Sequence, residues 1–149
     1  MRVFLRDRFT DRYSGTRLFN PGVLRLLSHR LGDSFPFQKN WKLSETHPMY
    51  WELFPTLDHR APVSRGGADV EENWITTSMV RNSAKAHWTL AELGWREWRL
   101  DELGQWDGLT KWLIDFTQSN PDLCDEPYVR RWAKASARAL APTRKALGE

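Results

Sequence analysis

The sequence predicts an α+β domain. A strand, a long loop, a return strand and a helix lie at its middle, with helices around them and a helical C-terminal third. Three observations predict it. Residues 50–59 form an apolar, aromatic and partly β-branched run ending on the polar pair Asp58-His59, which suits a short strand delivering its last residues to a loop. The stretch Asn73-Trp74-Ile75-Thr76-Thr77 suits the return strand, and Thr77 or Ser78 is placed to cap a helix reaching to about Trp88. The last third carries a helical pattern.

The remaining elements follow in chain order. Residues 1–20 predict a short strand or loop with a turn at Tyr13-Ser14-Gly15. Pro21 opens a helix reaching to about Arg30, because proline suits the first helical position and Gly32 sits where a helix stops. Residues 33–50, with Pro36, Asn40 and Pro48, predict an irregular wrap over the core. Residues 60–72 predict a loop holding Pro62 and the flexible pair Gly66-Gly67. Helices are expected near 89–100, 108–119 and 126–147, with Pro142 kinking or ending the last one.

A chain of 149 residues with 40% hydrophobic content fits one globular domain, residues 1–149, with its motif core at about 50–90. Nine tryptophans supply packing anchors. A net charge of +3 and a pI near 9.2 are mildly basic and do not by themselves establish nucleic-acid binding. The distribution says more. Residues 126–149 carry Arg130, Arg131, Lys134, Arg138, Arg144 and Lys145 against Glu126 and Glu149. The single cysteine, Cys124, excludes an intrachain disulfide and a zinc site of paired CxxC type, and it is expected to be inert. The charged N-terminus is unlike a signal peptide, and no apolar run has the roughly 18 residues of a membrane span. The expectation is a cytoplasmic protein with no membrane partner.

The chemistry concentrates between Leu57 and Trp88. Adjacent residues on a strand point to opposite faces, so Asp58 and His59 would work on different sides. Asn82 and Lys85 share a helix face, here expected to look toward the strand pair, with Val80, Ala84 and Trp88 buried on the other side. Asp58 and Asn82 offer oxygen donors suited to a hard cation such as Mg²⁺. An imidazole at His59 can take a proton from water near neutral pH. Lys85 can neutralise a phosphate. These are the parts for phosphodiester hydrolysis.

Asp58-His59-x-x-Pro62, Gly66-Gly67, Asn73 and Asn82-x-x-Lys85 resemble the HNH endonuclease motif in order and spacing. The resemblance implies a ββα-metal centre. In it His59 is the general base, Asp58 and Asn82 hold one divalent cation (Mg²⁺, Mn²⁺ or another), and Asn73 braces the loop that keeps His59 in place. Lys85 supports the site or a phosphate. Arg60 and Arg65, in or beside the loop, are further phosphate candidates. Arg8-Phe9-Thr10-Asp11-Arg12-Tyr13-Ser14-Gly15 is similar to the family's zinc-knuckle stretch. Asp11 and Ser14 stand at its first cysteine pair, and Ser78 and Arg81 at its second. No structural zinc is therefore expected. The residues predict a polar replacement in which Asp11 pairs with Arg81 while Ser14 and Ser78 hydrogen-bond nearby.

The expected activity is hydrolysis of a DNA phosphodiester, leaving a 5′-phosphate and a 3′-hydroxyl as the resemblance implies. The expectation is low specificity alone, or specificity supplied by a protein partner or a homodimer. An RNA-cutting nuclease and a non-catalytic nucleic-acid-binding or interaction module of the same fold remain open alternatives. The basic face at residues 130–145 reads equally as a solvated helix face or a phosphate contact. His87 reads as a core or surface residue, His29 as a helix C-terminal residue favoured by the dipole, and His47 as a loop residue.

Overall fold

The computed structural model describes residues 1–141. The expectations for Pro142, Arg144 and Lys145 lie outside the described residues. A mixed helix-and-strand architecture surrounds one two-stranded antiparallel sheet. The chain opens with α1 (Arg2–Arg6) and then a turn closed by a bridge between Thr10 and Arg17. The first residues were expected as strand or loop. They fold as one helical turn because Val3 and Phe4 both reach the core from it.

Helix α2 (Pro21–Leu31) follows the expected bounds closely. Asn20 caps it by accepting from the Gly22 amide, Pro21 occupies the first turn, and Gly32 ends it at φ 51°. Residues 33–48 wrap without long elements. Helix α3 (Met49–Leu53) then stands where the expected strand would begin. Packing overrides pattern here. One helical turn drives Tyr50 into an aromatic cluster with Phe35, Phe37 and Trp41, and its hydroxyl donates to the Leu24 carbonyl.

Strand β1 (Pro55–His59) pairs with β2 (Trp74–Ser78), placing Asp58 opposite Ile75 and His59 opposite Trp74. Ser78 caps α4 (Met79–Lys85) by accepting from the Arg81 amide. α4 ends at Lys85 rather than near Trp88, since Ala86 turns the chain at φ 45°. The expected helix at 89–100 contracts to α5 (Leu90–Leu93), which opens on a Thr89–Glu92 capping box and stops at the left-handed Gly94. Trp95 and Trp98 instead pack on the N-terminal turn, Trp95 against Tyr13 and Trp98 donating its amide to the Arg12 carbonyl.

Helices α6 (Thr110–Ser119) and α7 (Pro127–Leu140) complete the described chain. With α2 they enclose Val23, Leu26, Leu113, Leu123 and Val129. No helix among the described residues is long and apolar enough to cross a membrane.

Candidate active site

β1 separates two environments. Its last residues alternate across the sheet, as the period of a strand requires. Asp58 turns inward and is 8% exposed. Its Oδ2 accepts from the Tyr13 hydroxyl at 2.7 Å and pairs with Lys85 Nζ at 2.9 Å. Lys85 is fully buried and also donates to the His59 carbonyl at 2.8 Å. Burial, and then the bond to Asp58, push the Tyr13 hydroxyl far up, so it remains a donor. Lys85 is therefore no phosphate contact. A buried carboxylate needs a partner, and Lys85 is that partner.

His59 faces outward with its side chain 32% exposed. Its Nε2 lies 2.8 Å from Asp69 Oδ1, and Trp74 Nε1 donates to the same oxygen at 2.9 Å. These bonds, the one from His59 foremost, hold the Asp69 carboxyl below its ordinary range. An ionised carboxylate only accepts, so the Asp69 contact is a hydrogen bond in the form of the ring that carries a proton on Nε2; the Trp74 indole nitrogen lies 3.2 Å from the same Nε2. Asp69 was not singled out from the sequence. Its only signal there is its place two residues after Gly66-Gly67.

The loop between the strands is tied from inside. Asn73 Oδ1 accepts from the Ala61 amide at 2.8 Å, and its Nδ2 donates to the carbonyls of Ala61 and Ala68. Gly67 passes so near the Ala61 carbonyl that a Cβ would meet its oxygen at 1.9 Å, so no side chain fits without moving the loop. Both halves of the loop carry ion pairs. Arg60 pairs with Glu97 and Arg65 with Glu92. Both phosphate candidates remain exposed while meeting a carboxylate, and Glu97 is shared between Arg60 and Arg12.

The zinc-knuckle positions are joined differently from the expectation. Asp11 does not pair with Arg81. Fully buried, it accepts from the Tyr13 and Ser14 amides through Oδ1, and from the Thr77 hydroxyl and Ser78 amide through Oδ2. One carboxylate thereby clamps both segments, and fixed amides satisfy it without a cationic partner. Arg81 is exposed, with its guanidinium 5.3 Å from the Trp95 ring centre. Ser14 bonds Thr16, and Ser78 serves as the α4 cap.

α4 faces the strands as expected through Asn82 and Lys85. Asn82 Nδ2 donates to Thr56 Oγ1 and the Leu57 carbonyl, each at 3.0 Å. The opposite side is not the core the sequence suggested. Ala84 and Trp88 are exposed and Val80 is half-buried, because β1 and Tyr13 claim the Lys85 side. His87 is exposed, its ring tilted against that of Trp88 with centroids 4.6 Å apart. His29 lies in the last turn of α2, His47 stacks on Phe35, and Cys124 is a free, half-buried thiol.

The donor set fits a hard divalent cation in chemistry. Tyr13 and Lys85 both address Oδ2 of Asp58, which leaves Oδ1, and the Asn82 amide spends its nitrogen on β1, which leaves its oxygen. Among the described residues no three His, Cys, Asp or Glu side chains gather as a metal group. Compared with family models, curated proteins and solved structures, the chain shows no match to any.

Proposed function

We propose that this chain is a metal-dependent endonuclease of HNH type that hydrolyses DNA phosphodiester bonds. One observation carries the reading. An outward His59 imidazole, held through Nε2 by Asp69, ends the same strand on which Asp58 looks inward toward the helix that bears Asn82. With the ring's proton on Nε2 toward Asp69, Nδ1 is the nitrogen that would accept a proton from water, and the partly exposed setting gives that water access. Asp69 stabilises the imidazolium so formed and fixes the ring's orientation. Asn73 and Gly67 keep the loop that carries Asp69 closed on β1.

Asp58 and Asn82 would hold Mg²⁺ or Mn²⁺, which supplies charge against the leaving 3′ oxygen when bound. Lys85 sets a limit on this. Its ammonium offsets the Asp58 charge at 2.9 Å, so the protein alone is a weak cation site that phosphate oxygens must complete.

The test is plasmid nicking with Mg²⁺, Mn²⁺ or EDTA, beside a structured RNA. Cation-dependent nicking of DNA that is lost in His59→Ala is the expected result. Turnover of the RNA alone would assign an RNA-cutting nuclease. Binding without turnover of either substrate would reduce the chain to a nucleic-acid-binding module.

A further inference from the structure

Several exposed arginines already meet a carboxylate, and two others, Arg17 and Arg81, lie over the rings of Trp106 and Trp95; α7 gathers exposed cations with neither kind of partner among the described residues. Arg2 pairs with Glu71, Arg60 with Glu97, Arg65 with Glu92 and Arg96 with Glu102. On α7, Arg130, Arg131, Lys134 and Arg138 are all exposed, and none meets a carboxylate among the described residues. The helix contains no aspartate or glutamate. A solvated helix face ordinarily mixes signs at i,i+4, where opposite charges stabilise and like charges repel. Here Arg130, Lys134 and Arg138 follow one another at that spacing, each facing a like charge.

The placement is as ordered as the composition. Val129, Ala133 and Ser136 are buried on the inner side of α7. At about 100° per residue, the four cations fall on an arc roughly 100° wide centred opposite those residues. The stripe therefore points away from the core and crosses about 12 Å of helix axis, at about 1.5 Å per residue.

We infer that this outer face of α7 is a second contact surface for the phosphate backbone of DNA, engaging duplex away from the scissile bond. The choice of DNA rests on the nuclease reading. The surface itself rests on charge: self-repelling cations without carboxylate partners are relieved by a linear polyanion, which also repays the repulsion that the bare helix carries. Such a surface would add affinity to whatever Arg60 and Arg65 supply from their exposed ion pairs.

The experiment uses the full chain in EDTA, so that binding is read without cleavage, with a labelled duplex of about 20 base pairs and salt from about 50 to 200 mM. The variant R130Q/R131Q/K134Q/R138Q should flatten the slope of log K against log salt by about 3 to 4 and weaken binding at least tenfold, at about 0.9 per lost phosphate contact. R130K/R131K/R138K should retain slope and affinity. If the glutamine quartet melts early, R131Q/R138Q replaces it, with a slope change near 1.8 from the same relation. An unchanged slope, no DNA binding by the parent chain, or a loss confined to phosphatidylserine vesicles would overturn the assignment. The nuclease reading fails separately. If His59→Ala nicks plasmid like the parent while the quartet still flattens the slope, the α7 surface stands and the active-site reading falls.

Discussion

Asp58 and His59 are consecutive on β1, yet their side chains have no hydrogen-bond partner in common. Asp58 is closed in by Tyr13 and Lys85, from the N-terminal turn and from α4. The His59 imidazole meets the loop and the facing strand, through Asp69 and Trp74, and stays partly open to solvent, while the His59 carbonyl accepts from Lys85. The inward side holds three segments together by charge. The outward side leaves the imidazole partly open to solvent. A strand makes this division with no extra machinery, because its period of two assigns neighbours to opposite faces. Structural load and reactive group can then be altered one at a time, and each change below tests that separation.

The largest effect should come from the inward side. Lys85→Met keeps length and removes charge, leaving Asp58 buried with only Tyr13 as partner. Breaking one half of a buried pair costs about 3–5 kcal/mol. Chemical denaturation should show that loss. A loss below about 1 kcal/mol would mean the pair is surface-like. Next comes Asp11→Ala, which strands two buried amides and a hydroxyl from Thr77 around an empty position. Each unsatisfied buried donor of this kind costs about 1–3 kcal/mol, and water entering the vacated position would offset part of the total. Neither change should be rescued by added zinc.

The outward side should respond in rate and not in melting temperature. Asp69→Asn keeps the shape but removes the charge that steadies the imidazolium. Nicking should fall roughly ten- to a hundredfold, less than the 10²–10⁴ expected for loss of the base itself, with unfolding unchanged. The contact also has a pH signature. The carboxyl of Asp69 is held below its ordinary 3.8 in the folded chain. Its contribution is thus present above that value and lost only as pH falls through the lower folded one. The His59 ring resonances followed by NMR should keep their Asp69-bound signature at pH 3.8. Release at a higher pH would show that the dyad is not formed in solution. Tyr13→Phe returns to the inward side with a smaller effect. It removes one hydrogen bond to a carboxylate that keeps Lys85, a loss of about 1.5–3 kcal/mol at most.

The sequence carried the elements better than the partners on either side of β1. The strand pair, the Ser78 cap and the phase of Asn82 and Lys85 follow from spacing. Lys85 as a buried residue does not, because lysine reads as exposed until its partner is known to be buried. The bounds of α2 were legible from Pro21 and Gly32. Those of α1 and α3 were not, because single helical turns are set by what Phe4 and Tyr50 pack against. Asp69 was illegible because loop carboxylates are common, and only the return of the loop onto Trp74 makes this one a partner for His59.

Asp11 and Arg81 show the same limit most sharply, and Arg81→Ala gives the smallest predicted effect. Sequence complementarity couples them, since an acid and a base replace two of four thiolates. Charge favours such pairing, but a carboxylate in a tight turn has backbone N–H groups nearer than any side chain. Tyr13, Ser14 and Ser78 offer three, already fixed in direction, so no arginine rotamer has to be ordered to reach it. Arg81 is left outside over Trp95, a cation–π contact worth about 0.5–1 kcal/mol at an exposed position. Arg81→Ala should therefore cost no more than that in denaturant, while Asp11→Ala costs several times more. Equal losses in the two variants, with non-additive coupling in the double variant, would restore the direct pair and overturn the amide clamp.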